Sequence, residues 1–149
     1  MAFKTLKIVF MGTPQFAVPT LEALHASRHA LALVVTQPDR PKGRGRVLAA
    51  PAVKVAAQRL GLPVTQPHKI GDTAFVETIE RFAPDALVVA AYGKIIPQSL
   101  LDLPALGAVN VHPSLLPKYR GPAPIQWPLI QGDLETGVTI IQLNAQMDA

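Results

Sequence analysis

Every residue from Ala86 to Ala91 is apolar, between Asp85 and Tyr92, with Pro84 before and Gly93 after. This is the longest clean apolar run in the chain. It is far too short to cross a bilayer, which takes about 20 residues as a helix. Apolar residues without alternation indicate a strand covered on both faces. A strand over residues 85–92 therefore needs helices in front of it and behind it. That requirement alone points to a layered α/β sheet.

The rest of the chain supplies the other pieces. Further strands are expected over residues 6–11, 30–36, 63–66, 108–112 and 137–143. Helices are expected over residues 13–27, 51–60, 72–82, 97–101 and 123–131. Thr13 reads as a helix N-cap with Pro14 in the first helical position, and Pro19 shortens or distorts the first turn. Asp72 reads as a second N-cap, and Gly61 as a C-terminal stop. Strand and helix alternate throughout, which argues for a mostly parallel open sheet with helices on both faces. The sequence contains no internal repeat.

At 149 residues the chain fits one domain, and 49% hydrophobic residues are enough for a core. Without cysteine it has no disulfides and no thiolate metal sites. No signal-peptide stretch occupies residues 1–7, so the expectation is a cytoplasmic protein that does not contact membrane. Most of the net charge of +4 is local. Arg40, Lys42, Arg44 and Arg46 face one nearby acid, Asp39, whereas acids and bases almost balance elsewhere. Clustered charge points to a site rather than to general solubility.

Asn110 and His112 are two apart at the end of an apolar strand that Pro113 should stop. Side chains alternate along a strand, so the two share a face. The carboxyl ends of strands are where open α/β sheets bind ligands. A lone histidine at such a place is more often structural, but Asn110 and a candidate carboxylate raise the case for catalysis. His25, His29 and His68 read as surface residues. No histidine has the companions a metal site needs.

Three other segments each carry two readings. Gly12-Thr13-Pro14 is either a tight fold-forming turn or an anion site at a helix start, and the chain has neither G-x-G-x-x-G nor a P-loop. The basic segment after Asp39 is either a solvated loop or a surface for a polyphosphate backbone. Ser114, Leu115, Leu116 and Pro117 form either a lid or an apolar wall for a flat heterocycle. Tyr92, Gly93 and Ile95 are placed to make the opposite wall, with Lys94 beside them either involved or only solvated.

The segments at residues 10–17, 36–40, 91–93 and 110–125 together resemble the methionyl-tRNA formyltransferases, and residues 135–139 and 147–149 extend the match. The resemblance runs from about Leu6 to the last residue. It implies the Rossmann-like formyltransferase fold, and transfer of a formyl group from 10-formyltetrahydrofolate to the methionine amine of initiator methionyl-tRNA. On this resemblance Asn110, His112 and Asp148 are the catalytic set. Ser114, Leu115, Leu116, Pro117, Tyr92, Gly93 and Ile95 hold the folate. Arg40, Lys42, Arg44 and Arg46 contact the tRNA, with Arg44 foremost. A monomer without metal is expected.

Family members continue past the position of Asp148, complete the catalytic domain and add an OB-type barrel. Residues 1–149 therefore read as the N-terminal catalytic domain, incomplete at its C-terminus, with the barrel absent and activity weak or lost. Two other readings stand beside this one. One is a formyltransferase for a small amine such as a sugar-nucleotide. The other is a non-catalytic RNA- or folate-binding fragment.

Overall fold

The computed structural model describes residues 5–112 and 139–143. Ser114, Leu115, Leu116, Pro117, Asp148 and the helix expected over 123–131 lie outside the described residues. The chain runs through β1 (Lys7–Gly12), a single 3-10 turn (Gln15–Ala17), α1 (Val18–Ala26) and β2 (Ala30–Val35). Next come β3 (Arg40–Lys42), β4 (Val47–Ala49), α2 (Ala52–Arg59), β5 (Val64–Thr65) and α3 (Thr73–Phe82). β6 (Ala86–Ala90), α4 (Gln98–Leu101), β7 (Ala108–His112) and β8 (Thr139–Gln142) follow.

Six strands form one sheet in the order β5-β2-β1-β6-β7-β8. All neighbours are parallel except β7 and β8. The apolar β6 takes the place its sequence demands, between β1 and β7. Period-two alternation sorts its residues and those of β1 into two layers. Val9, Met11, Leu87 and Val89 meet Phe75 and Ile79 of α3 and Leu100 and Leu101 of α4 on one face. Ile8, Phe10, Val88 and Ala90 meet Val18 and Leu21 of α1 and Val53, Ala56 and Ala57 of α2 on the other. β1 is apolar on both faces because both layers need it.

The chain first moves outward from β1 to β2 and β5, and α3 then carries it back past β1 to β6. The direction of winding reverses between β1 and β6. Such a reversal opens a crevice at the carboxyl ends of the two strands. Gly12 lets them close up there: a Cβ on Gly12 would lie 2.8 Å from the Ala90 carbonyl oxygen and 2.9 Å from the Ala17 Cβ.

Two local expectations are corrected. The helix after β1 starts at Val18, with Pro19 in its first turn, and Pro14 precedes the 3-10 turn in extended backbone. A first-turn proline gives up no helical hydrogen bond, so Pro19 marks the helix start and Thr13 is released from capping. The basic segment is an antiparallel hairpin, β3 with β4, in which Lys42 pairs with Val47. Gly43 and Gly45 turn it with φ of +72° and +84°. Asp72 does occupy the α3 N-cap position, although its side chain makes no capping hydrogen bond.

Candidate active site at the carboxyl edge of the sheet

Asn110 and His112 lie in β7 on the face of Ala108, which belongs to the layer of α3 and α4. Val109 and Val111 point into the opposite layer. The common face expected for the amide and the imidazole is therefore the one observed. The register puts Asn110 beside Val89 of β6, and Val89 beside Met11 of β1. His112 is two residues further toward the carboxyl edge, about 6–7 Å along the strand. It is 3% exposed and its backbone pairs with Thr139 of β8. Asn110 is half-buried.

The chain after β6 turns sharply at Ala91 (φ 52°) and Gly93 (φ 101°). Of the residues expected to make an apolar wall here, Gly93 and Ile95 are exposed, Ile95 by 64%. Tyr92 is not: its ring is 2% exposed and packs in the core. It meets the crevice through its carbonyl oxygen, which accepts hydrogen bonds from the Thr13 hydroxyl at 2.7 Å and the Gln37 amide at 3.2 Å. Lys94 is more than a solvated charge, since its ammonium donates to the His68 carbonyl at 2.7 Å. His29 is half-buried rather than a surface residue, and its Nδ1 accepts the Leu6 N–H at 3.0 Å.

Burial without an ionic partner pushes the Tyr92 phenol up to about 12. Its hydroxyl has no hydrogen-bond partner among the described residues. Asp39 shows the opposite behaviour. Hydrogen bonds from Gln66 and Lys54 hold its carboxyl below the usual carboxylate range.

The hairpin leaves the sheet from the carboxyl end of β2, so it belongs to the same edge as Asn110 and His112. Arg40, Lys42, Arg44 and Arg46 are all exposed. A chain of polar contacts missed in the sequence runs beneath them. Thr13 and Gln37 hold Tyr92, Gln66 donates to the Gln37 carbonyl at 3.1 Å and to Asp39 at 2.7 Å, and Lys54 donates to both Asp39 oxygens at 3.1 and 3.2 Å. The signal was the polar pair Thr36-Gln37 at the end of an apolar strand, where both residues prove buried. Among the described residues no group of three or more His, Asp or Glu is arranged to hold a metal ion, and no helix is long and apolar enough to cross a membrane.

Residues 6–149 match the formyl transferase family. The chain belongs to that family. Among its relatives, the methionyl-tRNA formyltransferase of Syntrophus aciditrophicus is 56% identical over 143 residues. The alignment covers 96% of this chain and 46% of that protein. The methionyl-tRNA formyltransferase of Desulfotalea psychrophila is 57% identical, with 97% and 45% covered. The chain thus spans about half the length of the curated relatives it matches. Among solved structures, glycinamide ribonucleotide transformylase 1 from Symbiobacterium toebii superimposes with a TM-score of 0.73 at 18% identity. The match covers 99% of this chain and 71% of the other, a likeness of fold.

Proposed function

We propose that this formyl transferase domain passes a formyl group from 10-formyltetrahydrofolate to the methionine amine of initiator methionyl-tRNA. The observation that carries the reading is the common face of Asn110 and His112 at the carboxyl end of β7, beside the crevice where the sheet reverses. Identity above 50% to methionyl-tRNA formyltransferases supports the choice of acceptor.

The reaction needs no nucleophile from the protein, because the acceptor amine attacks the formyl carbon itself. An oxyanion forms as the carbonyl becomes tetrahedral. The Asn110 amide donates to that oxygen, a role worth about 3 kcal/mol where such donors have been removed from other enzymes. His112 donates to the same oxygen and carries the proton that the amine loses toward the departing folate nitrogen. Asp148 orients His112. The C–N bond to the folate breaks as the tetrahedral centre collapses, and the folate nitrogen leaves with a proton. Gly93, Ile95, Ser114, Leu115, Leu116 and Pro117 hold the pterin, and the Tyr92 carbonyl fixes the course of the chain before Gly93. Arg40, Lys42, Arg44 and Arg46 take acceptor-stem phosphates.

The test is formylation of charged initiator tRNA by the protein that carries this domain. Asn110→Ala and His112→Ala should each lower turnover about 100-fold or more, with each variant shown to be folded at the assay temperature by its melting curve. Turnover unchanged in His112→Ala would remove the catalytic assignment. Formylation of a small amine at equal efficiency would remove the tRNA assignment.

A further inference from the structure

The hairpin poses a mechanical problem. Its strands are exposed, with Val47 72% and Leu48 65% accessible, so little packing fixes its direction. Its orientation has to be set at its base. Asp39 is the last residue before β3, and Lys54 lies in the first turns of α2, just after β4. The Lys54 ammonium reaches both Asp39 oxygens, at 3.1 and 3.2 Å. The amide of Gln66, just past β5, reaches Asp39 at 2.7 Å and the Gln37 carbonyl at 3.1 Å. The two ends of the insertion are thereby tied to each other and to the sheet.

A second consequence concerns charge. Asp39 is the one acid between Thr36 and Pro51. Engaged by Lys54, it is not pairing with Arg40, Lys42, Arg44 or Arg46, which have no ion-pair partner among the described residues. The Asp39 and Lys54 side chains are 31% and 21% exposed. Ion pairs at such exposure add little stability. The contact makes better sense as a device for geometry than as a source of stability.

We infer that Asp39, Lys54 and Gln66 are positioning residues that hold the basic hairpin in place for a nucleic-acid phosphate backbone without touching that backbone. This rests on the proposed reading of the hairpin as the RNA contact. Binding of a short acceptor-stem RNA hairpin, measured against salt concentration, separates the two. Arg44→Ala should weaken binding and reduce the salt slope by about 1, because one phosphate contact is lost. Gln66→Leu changes no charge. It should weaken binding about three- to tenfold with the slope unchanged, and amides of residues 42–47 should exchange faster in the free protein.

If Gln66→Leu binds as the wild type does, the anchor is refuted and the hairpin reading stands. If Arg44→Ala changes neither affinity nor slope, the hairpin reading itself fails. Should Gln66→Leu not fold, the charge-neutral Gln66→Ala carries the same test, and Lys54→Met, which removes a charge, should also weaken binding. Lys54→Arg should restore affinity, and equal loss in Lys54→Met and Lys54→Arg would overturn the inference.

Discussion

Tyr92 illustrates how one residue can be placed correctly in the chain and wrongly in space. Its position after a buried strand pointed to the crevice, and the apolar pattern could not say which of residues 92–95 turn inward. The positive φ at Ala91 decides that, and turn geometry of this kind is not written in hydrophobicity. The buried phenol has a measurable consequence. With its pKa at about 12, above the ordinary value near 10, the folded state keeps a proton that the unfolded chain loses between those values. The associated stability is complete below pH 10 and disappears as pH rises toward 12, a loss of roughly 3 kcal/mol. Tyr92→Phe should erase this alkaline loss relative to wild type. At pH 7 it should cost almost nothing, because a hydroxyl without a partner is removed along with its desolvation penalty. Denaturant melts of both proteins at pH 7 and pH 11 check this. Asp39 behaves in the opposite sense: its depressed pKa helps the folded state above the ordinary carboxylate range, and the help is lost as pH falls through that range.

Among elements, those with a strong apolar signal were legible and those defined by pairing were not. β1, β2, β6 and β7 appear where apolar runs end at turn residues, and Gly61 follows α2 with φ +73° as a helix stop should. The β3–β4 hairpin was invisible because Arg40, Pro41 and Lys42 carry no strand signal. Their strand character comes from the partner, residue by residue from Arg40↔Ala49 to Lys42↔Val47. The start of α1 was misplaced by four residues' worth of chain because two prolines competed for the first turn. The junction after β1 depends on close approach of backbone. Gly12→Ala forces its new Cβ against the Ala90 carbonyl and the Ala17 side chain, neither of which can swing away. It should destabilise the domain by about 1–3 kcal/mol. A calorimetric melt that does not move would show that β1 and β6 can separate there without penalty.

For the molecule as a whole, the candidate site was legible as residue types and the sheet supplied their relation. Asn110 and His112 were recognisable from a spacing of two, but Gly12 and Thr13 at the end of β1 and Tyr92 just after β6 lie about 100 and 20 residues earlier in the chain. Only the strand order brings them to one edge. The same order makes β1 common property of both helical layers. Phe10, fully buried, faces α1 and α2, while its neighbours Val9 and Met11 face α3 and α4. Phe10→Ala should cost about 3–5 kcal/mol and still give a single calorimetric transition, at lower temperature. Two separate transitions would mean that the layers melt independently.

β5, at one end of the sheet, pairs through only Val64 and Thr65. A row of backbone donors and acceptors that short gives an incoming strand almost nothing to grip. At the opposite end β8 is four residues long and presents Ile140 at 61% exposure. The β5 margin therefore discourages stray copies of the chain from stacking edge to edge there.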